Sequence, residues 1–140
     1  MIAVDTNVLL RLTLMDDEAQ LAQAAALIES AFAGRQDVLI NPIVLAEYVW
    51  TLARTYRASR LEQSRAVRQY IDRPPYRLFD DALVTDALSA FENSKADFAD
   101  CLIGAMNQAV PAPVTYSFDK AASELEAFAT PPQQAQERRP

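Results

Sequence analysis

The sequence predicts a three-layer α/β/α sandwich around a central parallel sheet of about four or five strands. Two observations carry this. Short apolar runs of strand length alternate with longer segments whose apolar residues recur at helical spacing, and such alternation requires crossover connections and a parallel sheet covered on both faces. Two of the runs, "MIAVD" and "VTYSFD", end in an acid, and open parallel sheets place their sites beyond the carboxyl ends of their strands. A chain of 140 residues is expected to form one domain with a core that needs no staples. We place that domain at residues 1–130 and expect a mobile tail at 131–140, which is polar, proline-rich and without an apolar period.

Each element has its local reason. "MIAVD" reads as a strand and "TNVLLRLTL" as a helix that Thr6 or Asn7 would cap. "DDEAQLAQAAALIESAFAG" opens with acids and stops at Gly34, a helix with both ends marked. "DVLIN" is a buried strand. In "NPIVLAEYVWTLARTY", Asn41 is the expected cap and Pro42 takes the first helical position, where its missing N–H costs nothing. "SRLEQSRAVRQYID" starts at Ser59 and is expected to run until Pro74 and Pro75 stop it. "YRLF" is a strand, "DDALVTDALSAFEN" a helix, and "ADFADCLIGAMNQA" a helix with Phe98, Cys101, Leu102, Ile103 and Met106 as its apolar positions. "VTYSFD" is the last strand, and "KAASELEAFA" is expected to close the fold as a helix.

Composition excludes several chemistries. The chain contains no His, so a Ser/His/Asp or Cys/His site, a His base and a His-ligated zinc are all ruled out. Catalysis would have to come from carboxylates, hydroxyls, Lys, Tyr, Cys101 or a bound metal ion. Cys101 is the only cysteine; it permits no internal disulfide and is read as a small core residue. No apolar run is long enough to span a membrane and no secretory signal is visible, so a soluble cytoplasmic protein is expected. The net charge of −6 argues weakly against nucleic acid as a partner, although local charge can overrule the total.

Five acids sit where the pattern does not ask for them: Asp5 and Asp119 at strand ends, Glu47 among the apolar residues of "IVLAEYVW", and Asp97 with Asp100 opening a helix. Two carboxylates about 4 Å apart repel by roughly 4 kcal/mol at an effective dielectric near 20. If these acids converge, they need protonation, ion pairs or a hard divalent cation, and few bases other than Lys95 and Lys120 lie nearby in sequence. Mg²⁺ and Mn²⁺ favour such oxygen donors. Taken singly, Asp5, Asp97 and Asp119 also read as helix-start residues, and Glu47 as the partner of an arginine.

The residues "VDTNVLL", "VLAEYVW", "ADFADCLIGA" and "TYSFDK", in this order, resemble the PIN-domain family, and within it the VapC toxins of type II toxin–antitoxin pairs. The likeness runs from Met1 to about Phe128. It implies a PIN-like α/β/α domain acting as a Mg²⁺- or Mn²⁺-dependent endoribonuclease, a cognate VapB-like antitoxin, and a homodimer. By position, Asp5, Glu47, Asp100 and Asp119 match the family's catalytic, metal-binding acids and Asp97 an additional acid frequent in the VapC branch. Asp5, Glu47 and Asp100 would hold one Mg²⁺, with Asp119 or Asp97 completing a shell or a second site. Thr6, Asn7 and Ser117 match supporting polar positions, Ser117 standing where the family usually has Thr. The connector "NQAVPAPV" departs from the family by lacking a glycine, which makes Asp119 the weakest member of the set. Arg54, Arg57 and Arg60 are candidate RNA or antitoxin contacts within an arginine-rich stretch interleaved with Tyr56, Tyr70 and Tyr76; a solvated basic face explains the same residues. Trp50 and Leu61 are candidates for an antitoxin surface.

Three other readings stay open. A catalytically silent PIN-like module would keep the fold for partner binding. A haloacid-dehalogenase-like phosphatase would also carry an acid after its first strand, but "DTNVL" has Asn7 where a second Asp is usual. A structure-specific DNA nuclease would need additional clamping helices, for which this chain leaves little room.

Overall fold

The computed structural model describes residues 1–133. β1 (Ile2–Ala3) leads into α1 (Thr6–Leu14) and α2 (Glu18–Ala33), followed by β2 (Val38–Ile40), α3 (Pro42–Arg54) and α4 (Arg60–Arg68). β3 (Tyr76–Leu78), α5 (Asp81–Glu92) and α6 (Phe98–Gln108) come next, then β4 (Thr115–Tyr116), α7 (Lys120–Ser123) and β5 (Phe128–Ala129). The mixed α/β class with parallel strands agrees with the sequence. Of the expected tail at 131–140, residues 134–140 lie outside the described residues.

The strands divide into two groups. β1, β2 and β3 form one parallel sheet in that order, with Ile2 opposite Val38 and Val38 opposite Tyr76. β4 and β5 form a separate parallel pair with Thr115 opposite Phe128. The single sheet of four or five strands expected from sequence is therefore split into three and two. Among the described residues no helix is long and apolar enough to cross a membrane.

Helix starts follow the caps written in the sequence. Asn41 accepts from the Val44 N–H (2.9 Å) with Pro42 behind it. Ser59 and Glu62 form a reciprocal capping box, which satisfies two otherwise orphaned donors. Asp17 and Asp80 cap α2 and α5 in the same way. α1 is capped by Asp5, which accepts from the Asn7 N–H (3.1 Å), and not by Thr6 or Asn7 themselves.

Two helices are shorter than expected. α4 ends at Arg68, and the chain turns before the prolines, with Asp72 in the left-handed region. "KAASELEAFA" is helical only over α7. Ala127 takes a positive φ of 64°, and the strand that follows is fastened to β4 by the Thr115 N–H to Ala127 O bond (2.7 Å) and the Ser117 N–H to Ala129 O bond (2.9 Å). The Phe128 ring then lies on Gly104 of α6, where a Cβ would overlap it. A long-range contact outweighs the helical period here.

The core joins α1, β2, α3, α4, α5 and α6 through Leu9, Val38, Leu45, Tyr48, Val67, Leu88, Phe91 and Phe98. Three tyrosines stack edge to face within it or at its margin: Tyr48 on Tyr70 (5.9 Å between centroids) and Tyr70 on Tyr76 (4.8 Å). Thr13 Oγ1 gives its one proton to the Leu9 carbonyl (2.9 Å). The Tyr48 hydroxyl, 2.6 Å away, must then be the donor to Thr13, and it accepts from Gln69 Nε2 (3.3 Å). Burial raises the Tyr48 pKa above its ordinary value. Tyr48→Phe removes these bonds and leaves the packing in place. We expect a loss of about 1–2 kcal/mol in urea denaturation; no loss would show that the hydroxyl contributes nothing to tying α1 to α3 and α4.

Candidate functional site

The five acids fall at three kinds of place. Asp5, Asp97 and Asp119 occupy the caps of α1, α6 and α7. Asp100 lies in the first turn of α6 and is half-buried. Glu47 lies on α3 and faces solvent. The reading of Glu47 as the buried partner of an arginine is corrected: Val44, Leu45, Tyr48, Val49 and Leu52 form the buried face of α3, Glu47 sits on the other, and it forms no ion pair among the described residues.

Asp100 is the acid whose titration the neighbouring charges move. Burial raises its pKa above the ordinary carboxylate value, and the charges of Asp119 and then Asp97 raise it further. Residues from two separate segments therefore act on one carboxyl. Asp119, the weakest member of the set by sequence, belongs to this group, whereas Asp5 and Glu47 are not among the charges that move Asp100.

Local bonds fix two of these acids. Asp119 accepts from the Ala122 N–H (2.8 Å), and its own N–H donates to Ser117 Oγ (3.0 Å), so Ser117 supports the turn that presents it. Asp97 makes no side-chain cap bond. Its carboxylate stands free of the capping role that sequence left open for it.

Asp97 and Asp100 line a cleft of about 150 Å³ closed by Ala46, Trp50 and Arg54 of α3 and Gln63 of α4. Glu47 adjoins Ala46 and precedes Trp50 by one turn, which places it on the helix that walls this cleft. A larger cavity of about 370 Å³ on another face of α6, next to Gly104 and Phe128, touches none of the five acids. Gln63 carried no sequence signal that would have placed it here.

The donors present fit a hydrated hard cation. The ion pairs among the described residues are Arg11–Asp16, Arg68–Glu92 and Arg77–Asp37, so none of the five acids is neutralised by a base there. Cys101 is buried and its thiol is pushed up to about 11, chiefly by desolvation, which keeps it from acting as a soft thiolate ligand. No three His, Cys, Asp or Glu side chains among the described residues stand close enough to enclose one ion. Mg²⁺ does not require that: it keeps several waters and binds through one or two carboxylates together with substrate phosphate. The single shell of Asp5, Glu47 and Asp100 expected from sequence is not assembled.

The basic stretch is also revised. Tyr70 is in the core and Tyr76 packs on it, while Arg68 and Arg77 are paired, so the interleaved track of arginines and tyrosines does not form. Arg60, expected as an RNA or antitoxin contact, is exposed but its Nη2 is committed to the backbone carbonyls of Phe91, Ser94 and Ala96. Arg54 remains at the cleft, and Arg57 is exposed in a left-handed turn. Trp50, 58% exposed, forms the cleft's aromatic rim.

A comparison with protein-family models matches residues 2–127 to the model described as PIN domain. A search of curated proteins finds no match to this chain.

Proposed function

Since this chain belongs to the PIN-domain family, whose members are typically metal-dependent nucleases, we propose that it is a Mg²⁺- or Mn²⁺-dependent endoribonuclease. In this reading it is the toxin of a VapBC-like pair, working in the cytoplasm. The observation that carries the reading is that Asp97 and Asp100 line one cleft with Arg54 and Trp50; the charge of Asp119 also acts on Asp100. Carboxylates brought together without bases repel each other, and a hard cation that joins them relieves this without protonation.

Asp97 and Asp100, which share the cleft, would hold the cation together with water and substrate phosphate; Asp119 would add its charge beside Asp100, and Asp5 and Glu47 would act through the ion's waters. When bound, the ion would supply a water of lowered pKa and neutralise charge on the phosphoryl oxygens. Arg54 binds an adjacent phosphate, and the Trp50 face takes a base of single-stranded RNA. Thr6 and Asn7 shape the turn after Asp5. Ser117 orients Asp119 through the bond already described. Exposed Ile43, Trp50 and Leu61 on α3 and α4 offer apolar surface for a VapB-like antitoxin or a second copy of the chain.

The test uses the chain freed of metal. Mg²⁺ or Mn²⁺ at a hundredfold excess over its dissociation constant should stabilise the fold by about 3 kcal/mol, and cleavage of single-stranded RNA should need the same ion and stop with EDTA. A chain whose unfolding and RNA both ignore metal is instead a partner-binding module.

A further inference from the structure

We propose that Arg60 is a positioning residue of the acidic site, tying the α5–α6 connection to α4 so that Asp97 and Asp100 stand where the cation is held. This rests on the metal-dependent reading above. Arg60 Nη2 lies 2.7 Å from the Phe91 carbonyl, 3.1 Å from that of Ser94 and 2.9 Å from that of Ala96. Two protons thus serve three acceptors that span the whole turn between the helices. The guanidinium also lies over the Phe91 ring, 3.9 Å from its centroid, where a planar cation is attracted to the ring face. Phe91 O lies in the last turn of α5, where it also accepts from the Ser94 N–H (3.5 Å), and a helix C-terminus favours a cation.

The other end of the clamp is firm. Arg60 is the first residue of α4, directly behind the Ser59–Glu62 capping box. The turn it holds leads straight into the site: Ala96 is fully buried, its N–H donates to Ser94 Oγ (3.2 Å), and Asp97 follows it.

Asp97 explains why such a clamp is needed. The caps of the other described helices bond back to their own first turn, and Asp97 alone does not. A cap bond would fix one Asp97 oxygen to its own helix, as the Ala122 N–H fixes one oxygen of Asp119; without it, the placing of Asp97 falls to the backbone of the turn that Arg60 holds. Arg60 forms no ion pair with Asp97 or Asp100 among the described residues.

Trp50 is the only tryptophan and shares the cleft with Asp97 and Asp100, so quenching of its fluorescence by Mn²⁺ reads metal affinity without turnover. Arg60→Met keeps an apolar stem over Phe91 and removes the donors. It should remain folded by circular dichroism and bind Mn²⁺ about tenfold more weakly, the scale seen when groups behind metal ligands are lost. Arg60→Lys, which cannot lie flat on Phe91 or reach all three carbonyls, should fall between Met and wild type, and it carries the test if the Met variant does not fold. A lowered melting temperature with unchanged Mn²⁺ affinity would make the residue structural only and overturn the proposal. Unchanged Mn²⁺ affinity with a shallower salt dependence of RNA binding would make it a phosphate contact and overturn it equally. Wild type that shows no Mn²⁺ response defeats the metal reading itself, whereas a response shared in full by both variants defeats only the role of Arg60.

Discussion

Asp100→Asn is expected to lower metal-dependent RNA cleavage by about 10²–10³-fold, the loss typical when one preorganised group is removed from a charge-stabilising site. The same change should leave the metal-free fold no less stable at neutral pH. Asn keeps the shape and removes the charge, and in this setting the charge is a liability: Asp100 is half-buried and faces Asp119 and Asp97. Metal should stabilise wild type and do so much less for the variant, so the two proteins change order of stability when the ion is added. A variant that cleaves at more than a tenth of the wild-type rate would remove Asp100 from the mechanism.

The pH dependence has a defined sign. The folded-state pKa of Asp100 is raised above its ordinary value of 3.8, so in the window between the two values the folded chain binds more protons than the unfolded one. Stability therefore falls as pH rises through that window. The penalty is fully present above the folded pKa and gone below the unfolded one. Without metal, the stability advantage of Asp100→Asn should be largest at neutral pH and vanish once the pH drops below the ordinary carboxylate value. Water screens a half-buried group, so the effect is small and its sign is the test. An advantage that grows on acidification would contradict the crowding of carboxylates around Asp100.

Local signals were legible and non-local ones were not. Asn41–Pro42, Ser59 with Glu62, and Gly34 each mark a helix end through bonds made within a few residues, and each stands where the sequence put it. "KAASELEAFA" satisfies a helical period, yet its second half is decided by pairing with β4 and by Phe128 meeting Gly104, neither visible from the segment itself. Glu47 misled for a related reason. The outward face of α3 carries Ile43, Glu47, Trp50 and Arg54 at helical spacing, so its apolar residues hid the polar side of the helix. The tyrosines near the arginines looked like a stacking surface because the register that buries Tyr70 against Tyr48 is set by α3 and α4 packing. For the site, residue type and order were readable, whereas the grouping of Asp119 with Asp97 and Asp100, apart from Asp5 and Glu47, depends on where β4 and α7 come to rest.

Phe91→Ala is expected to be the most destabilising single change among those considered, at about 3–5 kcal/mol. Phe91 is 1% exposed, meets the Phe98 ring edge to face at 6.1 Å, and carries the Arg60 guanidinium on its own face. Truncation leaves a cavity between α5 and α6, the helices that meet at the turn leading into the site, and domains of this size have only about 5–15 kcal/mol in total. Urea denaturation measures the loss; a value under about 1 kcal/mol would show that the junction relaxes around the gap. Phe91→Leu separates packing from the ring's other contacts, because it keeps most of the apolar volume and should cost less than about 1.5 kcal/mol while removing the face that Arg60 lies on. Phe98 begins α6 directly after Asp97. A ring lost at Phe91 therefore loosens the acid pair from behind, and Phe91→Leu should weaken Mn²⁺ binding by more than its modest loss of stability accounts for. Equal Mn²⁺ affinity in a folded Phe91→Leu protein would show that the hydrogen bonds of Arg60 hold the turn without the ring beneath it.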